Sequence, residues 1–245
     1  MIQIAFIPFA FPGLSNVGCA FTSRQGGASI YPYFAGNLSY EVGDDPEAVT
    51  ANRAYLKERL GFSALVDCTQ VHGDAVLFDL EEGVPREADG LATDRSGVGL
   101  MIKTADCQPI LLAHETGRFV AGLHVGWRGN VIDFPGTGVR QLCERYDCDP
   151  SELLAVRGPS LGPQQAEFTS FATEFGSAFT RYFDPASQTA NLWQLTHDQL
   201  RAAGLREERI HGINLCTQSN PEMFFSYRGE TTTGRQSGLI WIQPH

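Results

Sequence analysis

Short apolar runs, each bounded by Gly, Pro, Asn, Asp or Ser, follow one another along most of this chain. They predict strands over 17–23, 64–71, 75–80, 98–104, 109–113, 118–125, 209–215, 223–228 and 238–243. Alternation is strict in 119–126. Phe119, Ala121, Leu123 and Val125 share one face, and Val120, Gly122, His124 and Gly126 share the other. His124 therefore projects where small neighbours leave room, and the two glycines imply a close approach to the backbone. The period changes over 46–60, which predicts a helix. Asp44 or Asp45 can cap it, Pro46 suits its first turn, and Gly61 stops it. Ala48, Val49, Tyr55, Leu56 and Leu60 form its apolar stripe. Further helices are predicted over 136–146, 167–182 and 191–203, the last ending at Gly204. Strands and helices mix without regular βα alternation, so the fold class expected is α+β, mixed sheets flanked by helices. No repeat, low-complexity tract or linker interrupts residues 1–245, which read as a single domain. A dinucleotide or ATP site is not supported, because neither G-x-G-x-x-G nor a phosphate-binding loop occurs.

Composition narrows the classes. Hydrophobic residues are 42% and charged residues 19%, and sixteen Phe supply bulk for a sizeable core. The net charge of -10 is spread along the chain, which disfavours nucleic-acid binding but leaves room for a local basic pocket. Cysteines at 19, 68, 107, 143, 148 and 216 form no compact disulfide framework. Met1 to Leu14 is apolar but lacks a basic start and is broken by Pro8 and Pro12, so it does not read as a secretory leader. No stretch has transmembrane length. A cytoplasmic protein with reduced thiols is expected.

Three residues carry the candidate chemistry: His72 in Gln70-Val71-His72-Gly73, Cys107 in Ala105-Asp106-Cys107, and His124 in His124-Val125-Gly126-Trp127-Arg128-Gly129. Each sits where an apolar run meets glycine or polar residues, as at a strand end. Two imidazoles and a thiolate suit Zn²⁺, and three protein ligands leave a position for water or substrate. Spacing alone does not decide this, because buried histidines and an inert buried thiol read equally well. Asp74 is a candidate hydrogen-bond partner for His72. Arg128 can stack on Trp127, and an arginine fork matches phosphate. Arg24, Arg228 and Arg235 lie beside glycine or hydroxyl residues and are expected to gather with it at one pocket. Asn37, Gln70 and Asp106 read as turn or capping residues as readily as binding ones. Tyr33 and Phe225 can stack on a planar substrate, with core packing as the plainer role. His114, His197 and His211 receive no role, and His245 reads as a solvated end.

The wording around these residues resembles the YfiH (DUF152) family, the laccase-like multicopper polyphenol oxidase family that also contains purine nucleoside phosphorylases. The resemblance runs nearly end to end, through Thr22-Ser23-Arg24-Gln25-Gly26-Gly27, Gly43-Asp44-Asp45-Pro46, the three motifs above, Asp89-Gly90, Gly158-Pro159-Ser160-Leu161-Gly162, Phe225-Ser226-Tyr227-Arg228 and Gly234-Arg235-Gln236. It implies that His72, Cys107 and His124 bind zinc. Segments 163–168 and 228–233 depart from the family's usual wording and are expected to border the substrate pocket.

The resemblance further implies phosphorolysis of adenosine, inosine, guanosine and methylthioadenosine, and deamination of adenosine. Nucleoside and phosphate would then be the small-molecule partners, with Cys107, Arg128 and Arg235 in the reaction and the arginines on the phosphate charge. Three alternatives stand beside this. Copper-dependent oxidation of phenols follows from the family's older name, although six His with no H-x-H pair suit a multicopper site poorly. A Cys107–His124 nucleophile dyad, as in a hydrolase or deamidase, leaves His72 unexplained. A non-catalytic metal-binding protein needs a fourth ligand, for which Asp106 is the neighbour at hand.

Overall fold

The computed structural model describes residues 2–244, so His245 lies outside the described residues. In chain order the strands and helices begin with β1 (Phe6–Phe9), β2 (Val17–Thr22), α1 (Pro46–Leu60), β3 (Ala64–Val66), β4 (Val76–Phe78) and β5 (Gly90–Thr93). Next come β6 (Val98–Thr104), β7 (Gln108–His114), β8 (Val120–Val125), α2 (Trp127–Val131), α3 (Phe134–Tyr146) and β9 (Leu153–Arg157). The chain continues with α4 (Phe171–Glu174), β10 (Phe183–Asp184), β11 (Thr189–Ala190), α5 (Leu192–Ala202), β12 (Ile210–Gly212) and β13 (Gln236–Ile242).

Among the described residues these strands build two large mixed sheets and a small hairpin. One sheet has the order β1-β2-β13-β6-β3, and the other β12-β9-β7-β8-β5-β4. Phe21, Ile102 and Ile240 from the first sheet meet Leu111, Val120 and Val156 from the second in a shared core. The outer face of the first sheet is covered by Leu56 of α1, packed with Ala20, Met101 and Leu239. The outer face of the second is covered by Val139 and Leu142 of α3 and Leu200 of α5. Both faces of the central strands are thus buried, which explains why they read as continuous apolar runs. The expected α+β class is what the chain adopts.

The alternation read in 119–126 appears as anticipated. Ala121, Leu123 and Val125 face the helices, and Val120 faces the other sheet. Gly122 is a close contact between the sheets: a Cβ there would lie 2.6 Å from Ile102 Cγ1. Helix α1 also follows its sequence signals. Asp45 accepts the Glu47 amide, and Gly61 closes the helix in the left-handed conformation at φ 75°.

Two expectations fail. No helix spans 167–182. A single α-turn, α4, gives way at Gly176 (φ 80°) to a 3₁₀ segment over Ser177–Tyr182. The apolar period there comes instead from an aromatic cluster in which Phe171 stacks on both Phe175 and Phe183. No strand forms over 223–228. Phe224 and Phe225 are both fully buried, which defeats alternation, and the Phe225 amide donates to the Gln236 side chain instead of a strand neighbour.

Replacing Gly122 by Ala should overpack the contact between the sheets and lower stability by about 1–3 kcal/mol. Urea denaturation would measure this, and an unchanged midpoint would contradict the close packing against Ile102.

Candidate functional site

The two loops of the site are crossings between the sheets. His72 lies between β3 of one sheet and β4 of the other, and Cys107 lies between β6 and β7. His124 comes from the end of β8, opposite Pro109. One ligand atom from each of the three residues falls within a 4.8 Å span. Cys107 Sγ is 3.8 Å from His72 Nε2, and the two imidazole rings meet edge to face at 4.8 Å. Gly126 makes the approach possible, since a Cβ there would lie 3.0 Å from both Cys107 Sγ and the His72 ring.

A single carboxylate holds two of these residues in place. Asp89, wholly buried, accepts the backbone amides of Val71, His72 and Gly73. It also accepts His124 Nδ1–H at 2.7 Å. His72 takes a left-handed φ of 62° in that loop, which three amide bonds to one carboxylate offset. Burial works against the Asp89 charge, but His124 and the amides outweigh it and hold the carboxyl below its ordinary range. Asp74 does not play this part. It is exposed, and its carbonyl accepts Gln141 Nε2.

Burial alone would raise the Cys107 thiol, but the charge and hydrogen bond of His124, with those of His72, bring it down to about 6. Burial likewise opposes the His124 charge, which the Cys107 thiolate and Asp89 raise to about 9. The two values describe one coupled thiolate–imidazolium pair. A metal would take the proton's place between them. Asp89 engages His124 Nδ1 and leaves Nε2 as the coordinating atom, and Cys107 is already held as its anion. The donor set therefore fits a bound metal ion. Asp106 adds no fourth ligand: its Oδ1 accepts the Thr217 hydroxyl and its Oδ2 the Arg228 amide.

The three residues open on a cleft of about 580 Å³, within the usual range for small-molecule sites. Arg128, Arg228 and Arg235 line it. Arg128 stacks on Trp127 at 4.4 Å, as its neighbour suggested. Arg228 donates to the Glu167 carbonyl, and Arg235 to the carbonyls of Thr233 and Gly234. None of the three spends its charge on a carboxylate among the described residues.

Arg24 does not join them. It stacks on Phe225 and bonds Phe34 O, Pro221 O and Glu230. Phe225 is fully buried beneath it, Tyr33 donates to Val42 O, and neither lines the cleft. Asn37 and Gln70 take the structural roles open to them, Asn37 in a turn and Gln70 paired with the Lys103 backbone. Phe168 and Arg228, from the two segments with unusual wording, do border the cleft. The sequence analysis noted Asp89 only within the Asp89-Gly90 motif and gave it no role, and it gave none to Glu41 and Lys103, which line the cleft. For Lys103 a signal existed, a lone charge inside the apolar run 98–104.

Fold and site together define an α+β protein with a thiolate–bis-imidazole centre in a basic-lined cleft. Residues 18–243 match the family model described as multi-copper polyphenol oxidoreductase laccase, and the chain belongs to that family. Its relatives include a Pseudomonas aeruginosa protein named purine nucleoside phosphorylase, 35% identical over 95% of this chain and 96% of the relative. A second is Purine nucleoside phosphorylase YfiH of Escherichia coli, 34% identical with the same coverage. Among solved structures, a Neisseria meningitidis protein of the DUF152 family is 30% identical with a TM-score of 0.85, covering 98% of this chain and 99% of its own. YlmD from Geobacillus stearothermophilus is 27% identical with a TM-score of 0.88, covering 99% of both chains. No helix of the described residues is long and apolar enough to cross a membrane.

Replacing Asp89 by Asn removes the charge and turns one of its two accepting oxygens into an NH2 donor, which faces either His124 and the His72 amide or the Val71 and Gly73 amides. Zinc affinity, measured by competition with a chromophoric chelator, should fall roughly 10–100-fold while circular dichroism stays native. Unchanged affinity would mean that Asp89 does not organise the ligands.

Proposed function

We propose that this chain is a purine nucleoside phosphorylase in which His72, Cys107 and His124 hold a zinc ion. The observation that carries this reading is the meeting, in one cleft, of that donor set with three arginines whose charges are not spent on carboxylates. An acidic chain that keeps such arginines in one cleft is suited to an anionic substrate. The names of the relatives supply the purine nucleoside.

When bound, zinc supplies Lewis acidity beside the substrate oxygens. The residues do the rest. Arg128 and Arg235 hold the phosphate charge, joined by Arg228, and orient one phosphate oxygen toward ribose C1′. That oxygen bonds to C1′ as the C1′–N9 bond breaks. The purine leaves with the electron pair and takes up a proton, giving ribose 1-phosphate and the free base. Trp127, Phe168 and Leu192 give the cleft apolar surface for the planar base. Copper remains the alternative metal, since imidazole and thiolate donors also suit it. The described residues bring together one group of three donors, which favours single-metal chemistry over a coupled multicopper site.

Adenosine incubated with zinc-loaded protein should yield adenine and ribose 1-phosphate in the presence of phosphate and neither in its absence, as read by chromatography. Cys107→Ala should lose at least about 100-fold in turnover. Inosine as the product would move the reading to deamination, and undiminished turnover by Cys107→Ala would remove the site.

A second reading is favoured by the lowered Cys107 thiol, which suits a nucleophile with His124 as its base. The sign of the shift makes it testable. The thiolate predominates above about pH 6 rather than above the ordinary 9.0. In metal-free protein, iodoacetamide labelling of Cys107 should therefore rise through pH 6 and level off. Zinc should abolish the labelling if Cys107 is a ligand. Rapid labelling of the metal-replete protein would favour the nucleophile.

A further inference from the structure

The lining of the cleft divides into chemically different sets. Trp127, Leu161, Phe168 and Leu192 form an apolar one, and Ser39, Glu41, Gln70, Lys103 and Thr104 a polar one. Among the described residues two carboxylates line the cleft, those of Asp106 and Glu41. Asp106 accepts the Thr217 hydroxyl and the Arg228 amide and is only half-buried, whereas Glu41 is exposed.

Glu41 keeps acceptor capacity. Its Oε1 takes Lys103 Nζ at 2.6 Å, and its Oε2 takes the Ser39 hydroxyl. Its side chain nevertheless stays 47% exposed. A carboxylate offers about four lone-pair positions, so about two remain for a ligand.

The anchoring behind Glu41 is extensive. Lys103 is 5% exposed and also binds Asp67 at 2.8 Å. Arg53 grips Asp67 with two bonds, at 3.2 and 2.9 Å. Two cations thus balance two carboxylates. Glu41 is fixed in position without adding net negative charge to a cleft that must admit phosphate. Glu41 lines the same cleft as Arg235, Cys107 and the two histidines.

A fixed pair of acceptors in that cleft matches a ligand with two adjacent hydroxyl donors. We propose that Glu41 binds the ribose 2′,3′-diol and so sets a preference for ribonucleosides over 2′-deoxyribonucleosides. This assignment rests on the nucleoside reading above. The diol takes the polar set, the base the apolar set, and phosphate the arginines. A deoxynucleoside would leave one Glu41 acceptor desolvated and unpaired, the situation in which polar sites discriminate most strongly.

The test compares kcat/KM for adenosine and 2′-deoxyadenosine, with saturating phosphate, in the zinc-loaded wild type and in Glu41→Gln. Wild type should prefer adenosine by roughly 30-fold or more. Glu41→Gln should lose that preference to within about threefold, through a larger fall on adenosine than on the deoxynucleoside, which has only the 3′-hydroxyl to lose from Glu41. A merely structural role would lower both substrates together and leave the ratio intact, and that result overturns the assignment. So does a wild type that turns over both nucleosides equally. A wild type active on neither overturns the phosphorylase reading itself and the diol assignment with it. Should Glu41→Gln fail to fold, Ser39→Ala removes one anchor and spares the carboxylate. It should lower the same ratio about threefold, and an unchanged ratio there also overturns the assignment.

Discussion

The buried carboxylate of Asp89 is the interaction on which the site depends. A carboxylate without solvent is costly unless its lone pairs are met. Here four donors meet them: three consecutive loop amides and the His124 imidazole. The same bonds that make the charge tolerable also fix the conformation of the His72 loop and the ring orientation of His124. Positioning two candidate ligands and satisfying a buried charge are therefore one structural event. Cys107 completes the set because the β6–β7 crossing delivers it to the same edge, where Gly126 leaves room.

That edge is where the chain passes between the two sheets. Sheets packed face to face bury their centres and leave their connections to line whatever opening remains. Asp106 ties the crossing at Cys107 to the Arg228 segment through Thr217 and the Arg228 amide. The basic wall of the cleft is thereby held to the same turn as the thiol. Arg24, which looked from its motif like part of that wall, instead braces the loop carrying Phe34 from behind.

Much of this was legible in the sequence because it was local. Helix α1 announced itself by cap, proline and terminal glycine, and β8 by strict alternation with His124 on the side of the small residues. The three donors stood out by residue type and by their place at strand ends. What escaped was long-range. Asp89 stood out only as half of the Asp89-Gly90 motif, and nothing local says that it receives amides from sixteen to eighteen positions earlier. Asp74, the nearer acid, was the natural guess, and sequence distance was the wrong measure. Strands β5 and β9 are buried at every position and so show no alternation of their own. The stretch 167–182 misled because aromatic residues stacking on one another reproduce a helical spacing without a helix.

The arrangement also bears on what kind of metal site this would be. A structural zinc stabilises a chain that cannot build an adequate core without it, and its ligands are organised by the ion. Here the core lies between two sheets and is closed by helices on both outer faces. The candidate ligands are organised by protein hydrogen bonds: His124 and the His72 loop by Asp89, and the Cys107 turn by contacts of Asp106 with Leu161, Thr217 and Arg228. A site preorganised in this way keeps the binding energy of the ion from being consumed in folding. For an ion held at this site, that energy would be available for chemistry in the cleft beside it, as the proposed function requires.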